Sequence, residues 1–295
     1  MTFGFRIGAS TDVGEQRDIQ QDSYALATNV VVVADGMGGH RGGEVASSLA
    51  AREMIEQYTT PQIESLVHGV EQANQRILDK GALDPTLRGM GTTVVALALI
   101  HVEDGIALGA INVGDSRMYR LTGNDLEQLT EDHSLVEALV REGRITPAEA
   151  EVHPQRNIVT RALGVTEHVE VDSFHFVPKI GDRYLLCSDG LFNEVDPLAI
   201  ATILDSEPDP QVATGKLIAA ANEGGGRDNI TTVVVDIVPA DEAAIPERTQ
   251  AMANEVKDLE DDTTEKYLPE AAAEVEAAGP DELGSQKKQR WPWRR

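Results

Sequence analysis

Short apolar runs of strand length alternate along this chain with longer segments whose apolar residues recur at helical spacing. Phe3, Phe5 and Ile7 alternate with Thr2, Gly4 and Arg6, which predicts a half-buried strand over 2–11. Asp12 to Gln21 breaks the pattern, and a strand pair is expected over 24–34. Its second member, Val30, Val31, Val32, Val33 and Ala34, has the uniformly apolar character of a strand buried on both faces. It stops abruptly at Asp35-Gly36-Met37-Gly38-Gly39-His40. Val45, Leu49, Met54, Ile55 and Tyr58 then mark one face of a helix. A second helix is expected from Thr60 as N-cap and Pro61 as first helical residue, with Ile63, Leu66, Val67, Val70 and Ile77 on its apolar face.

Further strands are predicted over 92–100 and 106–113, turning at Glu103-Asp104-Gly105, and over 118–121 and 126–130, turning at Gly123-Asn124. Later strands fall over 169–177, 184–187 and 230–238. Leu135 to Val140 reads as helix, and two more helices open at Asp196-Pro197 and Asp209-Pro210, each a capping acid followed by proline at the first helical position. Between them the chain turns polar over 141–164, where Thr146, Pro147 and Glu149 make a capping box. This stretch has too few apolar residues for core and is expected as a surface flap.

Past Pro239 the periodicity fades. The folded part is therefore placed at 1–239, followed by an acidic disordered tail over 240–286. A basic terminal segment closes the chain over 287–295, with Lys287, Lys288, Arg290, Arg294 and Arg295 around Trp291 and Trp293.

Composition adjusts this picture in three ways. With 41% hydrophobic residues among 295, a substantial core is available, and with aromatics at 4% it must be built from aliphatic side chains. A formal charge of −25 disfavours contact with nucleic acid or an anionic membrane over most of the surface. Cys187 is the only cysteine, so no intrachain disulfide forms and a reducing compartment fits. Residues 1–10 lack a basic region followed by an apolar run, and no apolar run approaches the roughly 18 residues of a membrane span. The expectation is a cytoplasmic monomer. Membrane association is expected only if a helix downstream of the basic, Trp-bearing end is missing from this chain.

The candidate chemistry lies where strands end. Asp35 follows 30–34, Asp115 follows 106–113, Asp189 follows 184–188, and Asp228 precedes 230–235, each with a glycine beside it or within two residues. Singly, such an acid is an ordinary turn or cap residue. Brought to one edge, they make an oxygen-rich pocket suited to Mg²⁺ or Mn²⁺, and no His and Cys spacing for a zinc site occurs. Other signatures fail: Gly215-Lys216 is followed by Leu217 rather than Ser or Thr, and Ser116 has Met118 where a nucleophile elbow needs glycine. Cys187 sits in an apolar strand with Asn193 where a cysteine-dependent phosphatase carries arginine.

Arg17 to Asp22, Asp35-Gly-Met-Gly-Gly-His40, Gly91-Thr92-Thr93, Gly114-Asp-Ser-Arg117, Ser188-Asp-Gly-Leu191 and Asp228-Asn-Ile-Thr231 match, in order and spacing, the motifs of the protein phosphatase 2C (PPM) family. The chain resembles that family from about Phe5 to Val238, most of all its bacterial serine/threonine phosphatases. The resemblance implies an α+β fold, a four-layer α-β-β-α sandwich of two antiparallel sheets flanked by helices. It also implies hydrolysis of phosphoserine and phosphothreonine by metal-activated water, with two or three Mn²⁺ or Mg²⁺ ions. By the same resemblance Asp35 bridges two metals and the Gly36 carbonyl is another ligand, Asp189 and Asp228 complete the first, Asp115 with Asp189 holds a third, and Asp22 stands near the second. Arg17 is then the phosphate-holding arginine, and the partners are phosphorylated proteins including serine/threonine kinases. Apart from the resemblance, the flap is expected to shape substrate access, with His153 as a substrate contact.

Two departures are visible: Gln20 and Gln21 replace the family's Asn-Glu, and Met37 replaces the histidine of the animal enzymes. The proton donor is thus unassigned between His40 and His153. A catalytically weak phosphoprotein-binding regulator is the rival; loss of Asp35, Asp189 or Asp228 would favour it, and all are present.

Overall fold

The computed structural model describes residues 2–38, 41–123 and 125–244; the expectations for His40 and for residues 245–295, including the basic end, lie outside them. The strands are β1 (Phe3–Asp12), β2 (Asp22–Ala27), β3 (Val30–Met37), β4 (Gly91–Thr92), β5 (Val94–Val102), β6 (Gly105–Val113), β7 (Arg117–Thr122), β8 (Asp125–Gln128), β9 (Asp172–Phe176), β10 (Arg183–Cys187) and β11 (Ile230–Pro239). The helices are α1 (Gly42–Gln57), α2 (Ile63–Leu83), α3 (Leu135–Arg141), α4 (Pro147–Glu151), α5 (Asp189–Phe192), α6 (Pro197–Ser206) and α7 (Pro210–Gly224).

Two antiparallel sheets, ordered β1-β11-β10-β7-β8 and β2-β3-β5-β6-β9 with β4 beside β3, face each other. The valine run explains the layering. Val31 and Val33 point into the space between the sheets, where Phe5, Ile7, Leu97, Met118, Tyr184 and Val235 meet them. Val30, Val32 and Ala34 point outward against Ala46, Ala50 and Met54 of α1 and Val70 and Ile77 of α2. On the other side Leu185, Cys187 and Val234 pack against Ile200 and Leu204 of α6 and Leu217 and Ala221 of α7. Each fully buried valine or leucine contributes about 1.5–3 kcal/mol of transfer free energy, so a strand apolar on both faces is worth most between two such layers. The sandwich is the expected α-β-β-α fold.

The strand expected over 169–177 is shorter, Asp172–Phe176, and local structure departs from expectation most clearly in three other places. The second helix begins at Ile63 with Gln62 as N-cap, not at Thr60-Pro61. Thr60 Oγ1 instead pairs with Ser65 Oγ at 2.7 Å, and the Pro61 carbonyl accepts the His101 N–H at 2.6 Å, which ties the turn to β5. Residues 240–244, assigned to the tail by composition, belong to the fold: Ile7 N–H donates to Ala244 O and Ala244 N–H to Phe5 O, both at 3.0 Å. Strand β1 has an open outer edge, and small side chains let the returning chain cover it. Finally, the flap's last residues are not surface: Ala162 is 7% exposed and Leu163 fully buried.

Candidate active site

Antiparallel pairing brings the motif-bearing ends together. Asp22 at the start of β2 lies opposite Asp35 near the end of β3. Thr11 and Asp12 at the end of β1 face Thr231 and Ile230 at the start of β11, and Cys187 at the end of β10 faces Thr232 and Arg117. Asp115 and Ser116 leave β6 and enter β7, so both sheets present acids at the same edge.

Hydroxyls join the two sheets there. Ser188, fully buried, donates to Asp22 Oδ2 at 2.6 Å and accepts the Thr231 N–H at 2.9 Å. Thr93 Oγ1 accepts the Asp35 N–H at 3.0 Å and pairs with Ser116 Oγ at 2.7 Å, while Thr92 Oγ1 donates to the Asp35 carbonyl at 2.9 Å. Gly36 is confined from both sides: a Cβ there would lie 2.1 Å from Gly43 O and 2.4 Å from Gln21 O, so only glycine fits. The loop over 13–21 is stapled by Asn229, whose Nδ2 donates to Val13 O and Ile19 O at 2.9 and 3.0 Å and whose Oδ1 accepts the Gln21 N–H at 2.8 Å. Arg17, carried on that loop, is half-exposed and donates through Nη2 to Asp228 Oδ2 at 2.7 Å.

The electrostatics of this edge are those of crowded carboxylates. Burial first, then Asp22, Asp189, Asp115 and Asp228, push Asp35 well above the ordinary carboxylate range. Burial with Asp115, Asp228 and Asp22 raises Asp189 to about 8 against the opposing pull of Arg17. Asp115 is raised to about 6 by burial and Asp132, and Asp22 to about 6 by burial, which outweighs the hydrogen bonds from Ser188 and Thr231. Like charges held this close destabilise one another unless protons or cations join them. The donors are carboxylate and carbonyl oxygens, a set that suits a hard divalent ion rather than zinc. Among the described residues, no three His, Cys, Asp or Glu side chains close into a tight cage on their own.

Thus Asp22, Asp35, Gly36, Asp115, Asp189, Asp228 and Arg17 share one edge. His153 does not join them by any bond of its ring: its Nδ1 accepts the Gln155 N–H at 3.2 Å within the flap. Sequence reasoning left Ser188, Thr93 and Asn229 without roles although each stands inside a quoted motif. The available signal was a hydroxyl or amide within two residues of a motif acid or glycine.

Comparison with known proteins agrees with this geometry. Residues 15–206, well over half of the chain, match the protein phosphatase 2C family. The serine/threonine protein phosphatase PstP of Mycobacterium tuberculosis is 40% identical over 247 residues, which is 82% of this chain but 46% of that protein. The serine/threonine phosphatase stp of Listeria welshimeri is 41% identical over 239 residues, 77% of this chain and 93% of that one. A crystal structure of M. tuberculosis PstP superposes with a TM-score of 0.74 at 38% identity, covering 80% of this chain and 99% of that one. The PstP catalytic domain in complex with two manganese ions gives 0.72 at 37% identity, covering 80% and 100%. The chain belongs to the protein phosphatase 2C family. It spans about half the length of the mycobacterial relatives it matches.

Proposed function

We propose that this chain is a metal-dependent protein serine/threonine phosphatase that hydrolyses phosphoserine and phosphothreonine directly with water. The observation that carries this is the convergence of five strand-end acids and one arginine at a single edge, in a member of a phosphatase family with a relative solved with two manganese ions. Asp35 and the Gly36 carbonyl, with Asp189 and Asp228, would hold Mn²⁺ or Mg²⁺, Asp115 with Asp189 a further ion, and Asp22 would orient the second site. Bound there, the cations lower the pKa of water and offset charge on the phosphoryl group.

The chain's own residues supply the rest. Arg17 has a planar fork half in solvent, able to grip two phosphate oxygens; this matters on a surface of net charge −25, which otherwise repels a phosphate. Ser188 keeps the Asp22 carboxylate oriented, and Asn229 keeps the Arg17 loop on β11. In the overall reaction a water oxygen bonds to phosphorus, the ester P–O bond breaks, and the water's proton ends on the seryl or threonyl oxygen. We assign His153, on the flap, to contact with the substrate protein.

The substrates we assign are phosphorylated proteins, serine/threonine kinases among them, met by a cytoplasmic monomer. Catalysis is assigned to the unit ending near Ala244, and the acidic stretch and the basic end to a tail. Among the described residues no helix is long and apolar enough to cross a membrane. The test is release of phosphate from a phosphothreonine peptide with Mn²⁺, with chelator, and by Asp35→Asn. Turnover with Mn²⁺ only, and none from the variant, is expected; turnover surviving both chelation and substitution would overturn the assignment.

A further inference from the structure

One polar cluster outside the acid edge, built around a buried histidine, is wired directly to it. His133 is 7% exposed. Its N–H donates to Gly114 O at 3.0 Å, and its Nδ1 accepts the Gly114 N–H at 2.9 Å, so both backbone polar groups of Gly114 meet one residue. Gly114 has φ of +107°, and a Cβ there would lie 2.5 Å from Thr93 Cγ2; the turn admits only glycine, and Asp115 is the next residue.

Because Nδ1 is spent as an acceptor, the neutral ring carries its proton on Nε2, which lies 3.1 Å from Asp172 Oδ2. Arg161 Nη1 stands 2.8 Å from the same nitrogen and 2.6 Å from Asp172 Oδ1. A guanidinium only donates, so the Asp172 carboxylate is the acceptor that both cationic fork and imidazole share. The His133 carbonyl accepts the Thr160 N–H at 2.7 Å, and the neighbouring Leu135 N–H donates to Ile158 O at 2.9 Å, which ties the returning end of the flap to the same place. The far side of the turn is held independently, by Ser116 Oγ on Thr93 Oγ1.

We propose that His133 is a positioning residue: through Nδ1 it sets the Gly114–Asp115 turn, and through Asp172 and Arg161 it couples that turn to the flap's return segment. This rests on the proposed role of Asp115 as a metal-holding acid. Since Thr93 fixes the Asp35 side without His133, loss of the imidazole falls on the ion that Asp115 holds and spares those at Asp35. Ligand-orienting groups of this kind change metal affinity by about 10–100-fold when removed.

The test reads Mn²⁺ binding to the chelator-stripped full chain, without substrate, from the paramagnetic resonance signal of free Mn²⁺. His133→Ala is expected to weaken one Mn²⁺ step by about tenfold and leave the others within about twofold. His133→Asn places Oδ1 on the same number of bonds as Nδ1, keeps the Gly114 contact, and is expected within about threefold of the wild type. His133→Gln reaches toward Asp172 but not Gly114 and is expected to behave as alanine.

Mn²⁺ steps that all change less than about threefold in His133→Ala, or Asn and Gln variants that bind alike, overturn the proposal. If the alanine variant does not fold, the comparison of Asn with Gln decides alone. Wild-type chain that binds Mn²⁺ without phosphatase turnover would sink the proposed function and leave this inference standing; wild-type chain that binds none sinks both.

Discussion

At Asp35 stability and the proposed function oppose each other. Its carboxyl is buried among Asp22, Asp115, Asp189 and Asp228, and the cost of that burial, then of the repulsion, is borne by the fold whenever cations are absent. Asn keeps the shape and carries neither cost. The chelated Asp35→Asn protein is therefore expected to melt above the chelated wild type, by about 2–4 °C for each kcal/mol of repulsion relieved, and to lose the Mn²⁺-induced rise in Tm. Calorimetry with and without Mn²⁺ checks both halves; a variant that melts lower in chelator would refute the crowding argument. Arg17 is the converse case. Its bond to Asp228 is half-exposed, and exposed pairs of this kind contribute about 0–1 kcal/mol, so Arg17→Ala is expected to leave Tm nearly unchanged. Turnover of a phosphopeptide is expected to fall about 10²–10³-fold, the usual loss of one charge-stabilising donor. Ser188→Ala, unlike Arg17→Ala, is expected to lower stability. It orphans a buried Asp22 oxygen and the Thr231 N–H, which costs about 1–3 kcal/mol in denaturant unfolding.

At the scale of elements, the flap has two parts with different fates. Its middle, through Arg141, Arg144 and Arg156, is exposed, whereas its return segment is hydrogen-bonded to Thr92 at one end and to His133 and Leu135 at the other, with Leu163 buried. Limited trypsin digestion is expected to cut after Arg141, Arg144 and Arg156 well before Arg161, as fragment masses will show; early cutting after Arg161 would mean that the return segment is not held. The strands and their order were legible in the sequence because period-two alternation and the valine run leave few alternatives. The capping acids Asp196 and Asp209 read correctly because a cap and its proline act locally, each acid accepting two helix N–H groups in the structure. What stayed hidden depends on the fold as a whole. Thr60-Pro61 has the local signature of a helix start, yet tertiary bonding of Pro61 O to β5 pushes the start to Ile63. Composition placed Ala244 in a tail, but only the free edge of β1 makes it a partner. Asp115, Asp189 and Asp228 were visible as strand ends, while their meeting follows from register across two sheets, and His133 had no sequence signal because its partners lie 19 and 39 residues away.

The whole molecule can be interrogated through its one thiol. Cys187 lies on β10 between β7 and β11, under the layer of α6 and α7, and is fully buried. Burial also pushes its thiol up, away from the reactive thiolate. No local opening reaches it without separating the central strands of one sheet from their helices. Its reaction with an aromatic disulfide reagent should therefore require global unfolding, with a rate that rises with denaturant at the slope of the equilibrium transition. Because the acid edge exists only in the folded chain, Mn²⁺ bound there must draw the unfolding equilibrium toward the native state. At a hundred times the dissociation constant of a single site this amounts to about 2.7 kcal/mol, so the labelling rate is expected to fall about a hundredfold per strongly bound ion and to recover on chelation. A labelling rate that Mn²⁺ leaves unchanged would mean that the converging carboxylates hold no cation in the folded state, and that their mutual repulsion is relieved by protons alone.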